Sequence, residues 1–211
     1  MPVLLTVERL TLARGGRTLV ADLSFALAGG EALVVTGPNG AGKSTLLRAL
    51  AGLLRPISGA ISLAGDGVEA DDPAPVHAHY VGHADAMKSA LTARENLAFW
   101  GATLGGRNVM PQAPASADDV LRRIGLPQVA DLPTGWLSAG QKRRVALGRL
   151  FVAPRPLWIL DEPATALDRA AQDRLAGEMA AHRRNGGLIV AATHAPLGLE
   201  DASELRLGDS A

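Results

Sequence analysis

An α/β fold is the architecture the sequence predicts: a mainly parallel sheet core, an antiparallel β subdomain and a helical subdomain inserted between the core strands. Three observations carry it. Short apolar runs, "EALVVTG" (31–37), "PLWIL" (156–160) and "GLIVAAT" (187–193), read as strands buried on both faces. Helical apolar spacing follows the first run in "KSTLLRALAGLL" and separates the last two in "DRAAQDRLAGEMAAHRR", as crossover helices of a parallel sheet do. At the start of the chain, "LLTVERLTLA" and "RTLVADLSFALA" flank "RGG" and read as an antiparallel pair with its turn.

The 211 residues, 47% of them apolar, suffice for one compact domain with a sizeable core, so the expected domain spans 1–211. The helical "LTARENLAFWGATL" (91–104) is bracketed by two Pro/Gly/Ala-rich or acidic stretches, 64–78 and 105–119, that read as surface loops. The helical subdomain is accordingly expected over approximately 84–153. Lys and Arg number 21 and balance 21 Asp and Glu, which removes the global basic field that draws a protein to nucleic acid or anionic lipid. No cysteine is present, so thiolate metal sites, disulfides and thiol nucleophiles are excluded. The N-terminal "MPVLLTVERL" lacks a basic region followed by a long apolar stretch, and no uncharged run approaches the ~18 residues that span a bilayer. The expectation is a chain with no direct membrane insertion.

Chemistry enters between the first buried strand and its helix. "GPNGAGKST" places Gly37, Pro38, Asn39, Gly40, Ala41, Gly42, Lys43, Ser44 and Thr45 in the phosphate-loop pattern. Glycines let the backbone curl so that successive N–H groups face phosphate oxygens, and the helix start adds partial positive charge. Lys43 supplies a full charge to the terminal phosphates, while the Ser44 hydroxyl is a Mg²⁺ ligand candidate. A second element, "PLWILDEP", ends an apolar strand in Asp161 and Glu162. Carboxylates there face the ligand crevice of an open α/β sheet, so Asp161 suits the Mg²⁺ shell and Glu162 the polarisation of an attacking water. A third element, "LSAGQKRRVALGRLF", sets Ser138 and Gln141 in capping-box spacing; by itself this window reads as an ordinary helix start. Lys142, Arg143 and Arg144 read as a solvated helix face, because no aromatic platform for nucleic acid is interleaved with them.

With these elements in place the chain resembles, over essentially its whole length, the nucleotide-binding subunits of ATP-binding cassette (ABC) proteins. The phosphate loop, the "LSAGQ" signature, "WILDEP", the "TALD" turn and His194 after "GLIVAAT" occur in that family's order. The resemblance implies a P-loop NTPase of ABC type that hydrolyses ATP with Mg²⁺ and forms a head-to-tail homodimer with two ATP molecules between protomers. It implies that Ser138, Gly140 and Gln141 of one protomer cap the γ-phosphate held by the other, that Asp168 lies at the dimer interface, that Glu162 is the catalytic carboxylate, and that His194 contacts the γ-phosphate. Two positions depart from the family pattern. Arg14 stands where an aromatic residue usually stacks on adenine, and a planar guanidinium also stacks. Ala139 replaces a signature glycine, adding one methyl near the phosphate.

"HAHYVGHADAMK" (77–88) gathers His77, His79 and His83. A metal or haem site is one reading, but no cysteine or second cluster completes a tetrahedral shell. The resemblance implies that His83 occupies the place of a glutamine that touches Mg²⁺ and the attacking water; a neutral imidazole, with one donor and one acceptor, partly replaces it. This histidine, with "KSALTARENL" and "PLWILDEPATALD", is similar to the haem-exporter ATP-binding proteins of cytochrome c maturation. That similarity implies a peripheral ATPase on the cytoplasmic face of the inner membrane, docked to integral membrane subunits that handle the haem, with no haem bound by this chain. The short stretch after His194 leaves no room for a regulatory domain on this reading. A soluble ABC ATPase of an iron–sulfur type assembly complex and an exporter for another cargo are the alternatives. In "ENLAFWGATL", Leu97, Trp100, Gly101 and Leu104 fall on one helical stripe and Phe99 opposite, where it suits a partner's coupling helix.

Overall fold

The computed structural model describes residues 2–66, 68, 74–104, 110 and 113–208. Strands β1 (Leu4–Arg14) and β2 (Arg17–Ala28) form the expected antiparallel pair, closed by Gly15 and Gly16 at φ 58° and 78°, the two positive values a two-residue hairpin turn needs. The buried residues of β1 are Leu5 and Val7, then Leu10 and Leu12, so the alternation slips by one. The slip is a β-bulge: the register shifts between Val7 and Leu10, Arg9 sits at φ 45°, and its N–H donates to Ser24 Oγ at 2.9 Å. Strand β4 (Ser58–Ala64) pairs on the other edge of β1, and Gly59 is required there because a Cβ would come within 2.4 Å of the Glu8 and Arg9 carbonyls.

The second sheet is parallel, in the order β5-β6-β7-β3-β8. Its strands are β3 (Ala32–Thr36), β5 (Ala78–Val81), β6 (Leu157–Asp161), β7 (Leu188–Ala192) and β8 (Ser203–Arg206). The three apolar runs are β3, β6 and β7, and they hold the centre. In β6 and β7 every residue is buried, and alternate side chains serve two cores. Trp158, Leu160, Ile189 and Ala191 face helices α2 (Ala93–Leu104), α3 (Ala117–Arg123), α4 (Ala139–Leu147), α5 (Arg149–Val152) and α6 (Arg169–Arg184). Leu157, Ile159, Leu188 and Val190 face α1 (Lys43–Leu50) and the antiparallel sheet. Helix α2 packs on α3 and α5, and the Cβ direction of Gly101 points at Val152 at 3.6 Å. As the spacing predicts, Leu97 is buried and Phe99 is exposed.

The loop reading of 64–78 meets short regular pieces at its ends, a bridge between Gly65 and Val68 and a 3-10 turn at Ala74–His77; residues 67 and 69–73 lie outside the described set. Of the loop read at 105–119, residues 105–109, 111 and 112 lie outside it as well, and helix α3 begins at Ala117, with Ser116 accepting from Asp119 N–H as its N-cap. Among the described residues no helix is long and apolar enough to cross a membrane.

The segment that leads into β6 is held from both sides by buried imidazoles. His79 Nε2 lies 2.6 Å from the Ala153 carbonyl, and His182 Nε2 lies 3.0 Å from the Pro156 carbonyl while its ring stacks on Trp158 at 3.9 Å. Burial holds the imidazoles neutral, pulling His79 from 6.5 down to about 3 and His182 to about 4. Protons therefore bind the unfolded chain first. The stability these rings contribute is whole above 6.5 and drains away as pH falls from there towards 4. At pH 5 the loss is about 2 kcal/mol per histidine, visible as a lower urea midpoint than at pH 7; a His79→Gln, His182→Gln double variant has a flatter midpoint over the same range.

Candidate nucleotide site

Strand β3 delivers the chain into the glycine loop, and the loop delivers it into α1. Gly37, Gly40 and Gly42 adopt φ of 131°, 85° and 105°. Gly37 has a second reason to lack a side chain: a Cβ would stand 2.3 Å from the Leu207 carbonyl, at the end of β8. Gly42 is the N-cap of α1 and has no side chain to satisfy the first-turn N–H groups, which stay available to an anion. Lys43 Nζ donates to the carbonyls of Gly37 at 2.6 Å and Pro38 at 3.1 Å, which holds the ammonium across the loop mouth.

Opposite the loop, β6 ends in Asp161, buried, with the Tyr80 hydroxyl donating to its Oδ2 at 3.4 Å. Glu162 follows in the left-handed region at φ 49°, its N–H donating to the Ala192 carbonyl at 2.8 Å. Successive strand residues point to opposite faces. The left-handed turn at Glu162 breaks that rule, and both carboxylates line one cleft. The cleft, about 390 Å³, brings together Arg14, Leu19, Asn39, Gly40, Gly42, Lys43, Ser44, Thr45, Asp161 and Glu162. His194 joins at its edge, exposed, with Nε2 at 3.6 Å from Glu162 Oε1. Gly37, Pro38 and Ala41 shape the loop without lining the cleft.

The remaining sequence candidates lie elsewhere. The capping box is formed, with Gln141 N–H donating to Ser138 Oγ at 3.2 Å and Ser138 N–H to Gln141 Oε1 at 2.9 Å. Gly140 packs so closely on the turn at Ala166 that a Cβ would meet its carbonyl at 2.6 Å, whereas Ala139 is exposed and its methyl is accommodated. Asp168 caps α6, accepting from Ala171 N–H at 2.8 Å. Ser138, Gly140, Gln141 and Asp168 do not line the cleft of their own protomer. His83 is exposed and borders a second cavity of about 680 Å³, with Arg48, Tyr80, Trp100, Leu104 and Arg149. Among the described residues no three His, Asp or Glu side chains are grouped so as to hold a metal ion.

The reading of 142–144 as a solvated face fails at Arg143, which is buried. Its guanidinium donates to the carbonyls of Pro163 at 3.2 Å, Gly82 at 2.7 Å, Asp161 at 3.0 Å and Glu162 at 2.8 Å, and pairs with Asp85 at 3.2 Å. This residue ties the signature helix to the acidic strand end and to the His83 loop. A signal was present: Arg143 shares the helical stripe of Ala146, Leu147 and Leu150, all buried. A guanidinium with its acceptors supplied is compatible with that face. Tyr80, held by Asp161 and Arg48, is a further residue beside this site and, unlike Arg143, has no sequence signal, and Gly82 is small because a Cβ would meet its ring at 2.9 Å.

A glycine loop at a helix start facing a buried strand-end Asp–Glu pair defines, on this sheet, a P-loop nucleoside triphosphatase. Residues 20–165 match the ABC transporter family, and the chain belongs to it. Curated relatives include the cytochrome c biogenesis ATP-binding export protein CcmA of Rhizobium meliloti (strain 1021), 50% identical over 207 residues covering 96% of this chain and 97% of that one. The protein of the same name from Chelativorans sp. (strain BNC1) is 49% identical over 204 residues, covering 97% and 98%. A solved ATP-binding subunit of an ABC transporter superposes with a TM-score of 0.79 at 26% identity, over 97% of this chain and 85% of that one. The chain is thus an ATP-binding member of the family, with the ATPase fold.

Arg143→Ala leaves four carbonyls and a carboxylate without their donor, and removing one partner of a buried ion pair costs about 3–5 kcal/mol. Urea unfolding measures it directly. Arg143→Lys, a point charge without the planar fork, recovers part of the loss.

Proposed function

We propose that this chain is the ATP-hydrolysing subunit of an exporter that powers haem delivery in c-type cytochrome biogenesis. The observation that carries the enzymatic part is the cleft in which Lys43 and Ser44 face Asp161 and Glu162. The biological setting is taken from the names of relatives at 48–50% identity over nearly the whole chain.

The loop N–H groups and Lys43 bind the β- and γ-phosphates, and Arg14, which also lines the cleft, meets the base. Ser44 and Asp161 are hard oxygen donors on one cleft wall, a set that fits Mg²⁺, and an ion held there with the nucleotide would offset phosphate charge. Glu162 orients and polarises the attacking water, and His194, in contact with Glu162, reaches the γ-phosphate. Ser138, Gly140 and Gln141 lie outside their own cleft and serve the partner's in a head-to-tail homodimer formed on ATP, with Asp168 at the interface. The signature helix then offers its N-terminal N–H groups to the γ-phosphate across the interface.

His83 replaces the family glutamine and borders both the Arg143-linked loop and the larger cavity. Phe99, exposed, edge-on to Trp100 at 5.5 Å and capped by the Lys88 ammonium at 4.4 Å, serves as a contact for an integral membrane subunit. The chain works as a peripheral subunit on the cytoplasmic side of the inner membrane, and haem contacts the other subunits. Detergent pull-down from native membranes tests this setting: integral subunits should co-purify, and recovery with a soluble assembly scaffold instead would favour the iron–sulfur type alternative.

Lys43→Ala should weaken ATP binding by roughly tenfold or more, since the phosphates lose a charge-assisted donor; calorimetry reads it. Glu162→Gln should retain ATP affinity while turnover falls by about 100-fold or more, and ATP, not ADP, should then accumulate a dimer in sedimentation.

A further inference from the structure

Trp136 is the most exposed large apolar side chain among the described residues, at 78% of its full accessibility. Its backbone is nonetheless fixed. The 3-10 turn Thr134–Trp136 is held by Trp136 N–H on the Pro133 carbonyl at 3.0 Å, Gly135 N–H on the Ser89 carbonyl at 2.9 Å and Lys142 Nζ on the Gly135 carbonyl at 3.3 Å. Beneath it Thr134 is fully buried, donating to the Lys88 carbonyl at 2.9 Å and accepting from Asn96 at 3.3 Å, and Leu137 is buried on the next position. A rigid mount therefore holds an indole in solvent, two residues before the Ser138 cap.

The nucleotide cleft, for its part, has no aromatic lining residue. Besides the phosphate loop and the acidic pair it is lined by Arg14 and Leu19, and Arg14 is exposed. A purine seated on the guanidinium would leave its second face uncovered.

We infer that Trp136 of one protomer stacks on the base of the nucleotide bound by the other, closing over the face that Arg14 leaves open. The inference rests on the head-to-tail arrangement proposed above. In that arrangement the N-terminus of α4 lies over the partner's phosphates. Two residues of chain span at most about 7 Å, so Trp136 enters the same interface, displaced from the phosphates. The planar apolar part of the ligand is the base, and an indole is the side chain that covers most of such a surface at little conformational cost. Base recognition is thereby divided between subunits: a cation in cis and an aromatic ring in trans, each on an opposite face. A base covered this way is bound fully only when the dimer closes.

The test uses Glu162→Gln as the parent, which accumulates the ATP dimer. Stacking of a base on an aromatic ring is worth about 1–3 kcal/mol, so Trp136→Ala should raise the ATP concentration for half-maximal dimerisation by about tenfold. Trp136→Tyr should restore most of the loss. Indole emission, taken as the difference between the parent and Trp136→Ala, should change when ATP drives dimerisation. Nucleotide affinity of dilute protomers should match the parent's, which places the loss at the interface. Dimerisation of Trp136→Ala at the parent's ATP concentration would overturn the inference with the head-to-tail reading intact. So would weakened dimerisation with no change in Trp136 emission. Failure of the Glu162→Gln parent to dimerise overturns the arrangement itself, and the inference with it.

Discussion

The guanidinium of Arg143 is the junction on which the site depends. Its acceptors come from two segments far apart in sequence, Gly82 and Asp85 after β5 and Asp161 to Pro163 at the end of β6, and it joins both to its own mount on α4. The backbone at Glu162 is in the left-handed region, a conformation that costs energy for a residue with a Cβ and persists only where its surroundings over-determine it. Arg143 on one side and the Ala192 carbonyl on the other supply that constraint. The position of a carboxylate in the cleft is therefore set by a cation on the helix that begins with the Ser138 cap. Mechanical connection between the signature helix and the acidic strand end follows from this single side chain.

How much of this is legible in the chain divides along a physical line. The phosphate loop and the acidic pair are contiguous because their chemistry needs adjacent backbone N–H groups and adjacent carboxylates, so the sequence displays them whole. The hairpin is legible for the same reason, its turn being local. Strands β4 and β8 are mostly exposed and β5 has four residues, so none carries a strong period-two pattern. Their pairing comes from the neighbouring strand, and a single window cannot hold that information.

Arg143 and His79 depart from what their residue types suggest for a different reason. Each is polar by type and buried in fact, because acceptors arrive from segments about 60 to 75 positions away. His79 belongs to a cluster that suggests a ligand set, yet its ring serves a backbone carbonyl ahead of β6. The cis placement of the signature residues, outside their own cleft, is visible in the fold, whereas their order in the chain alone places them on no particular side.

Strands β6 and β7 contribute alternate side chains to two cores, and this has a consequence for how the molecule opens. A layer that shares no residues with its neighbour loosens independently, as the outer edge of β4 and the exposed face of α2 are placed to do. The amides of Trp158 to Leu160 and Ile189 to Ala191 belong to both cores at once. Their exchange with solvent deuterium should follow global unfolding, so the slowest-exchanging amides should mark the wall that carries Asp161, which makes the floor of the nucleotide cleft one of the last described parts of the chain to lose its shape.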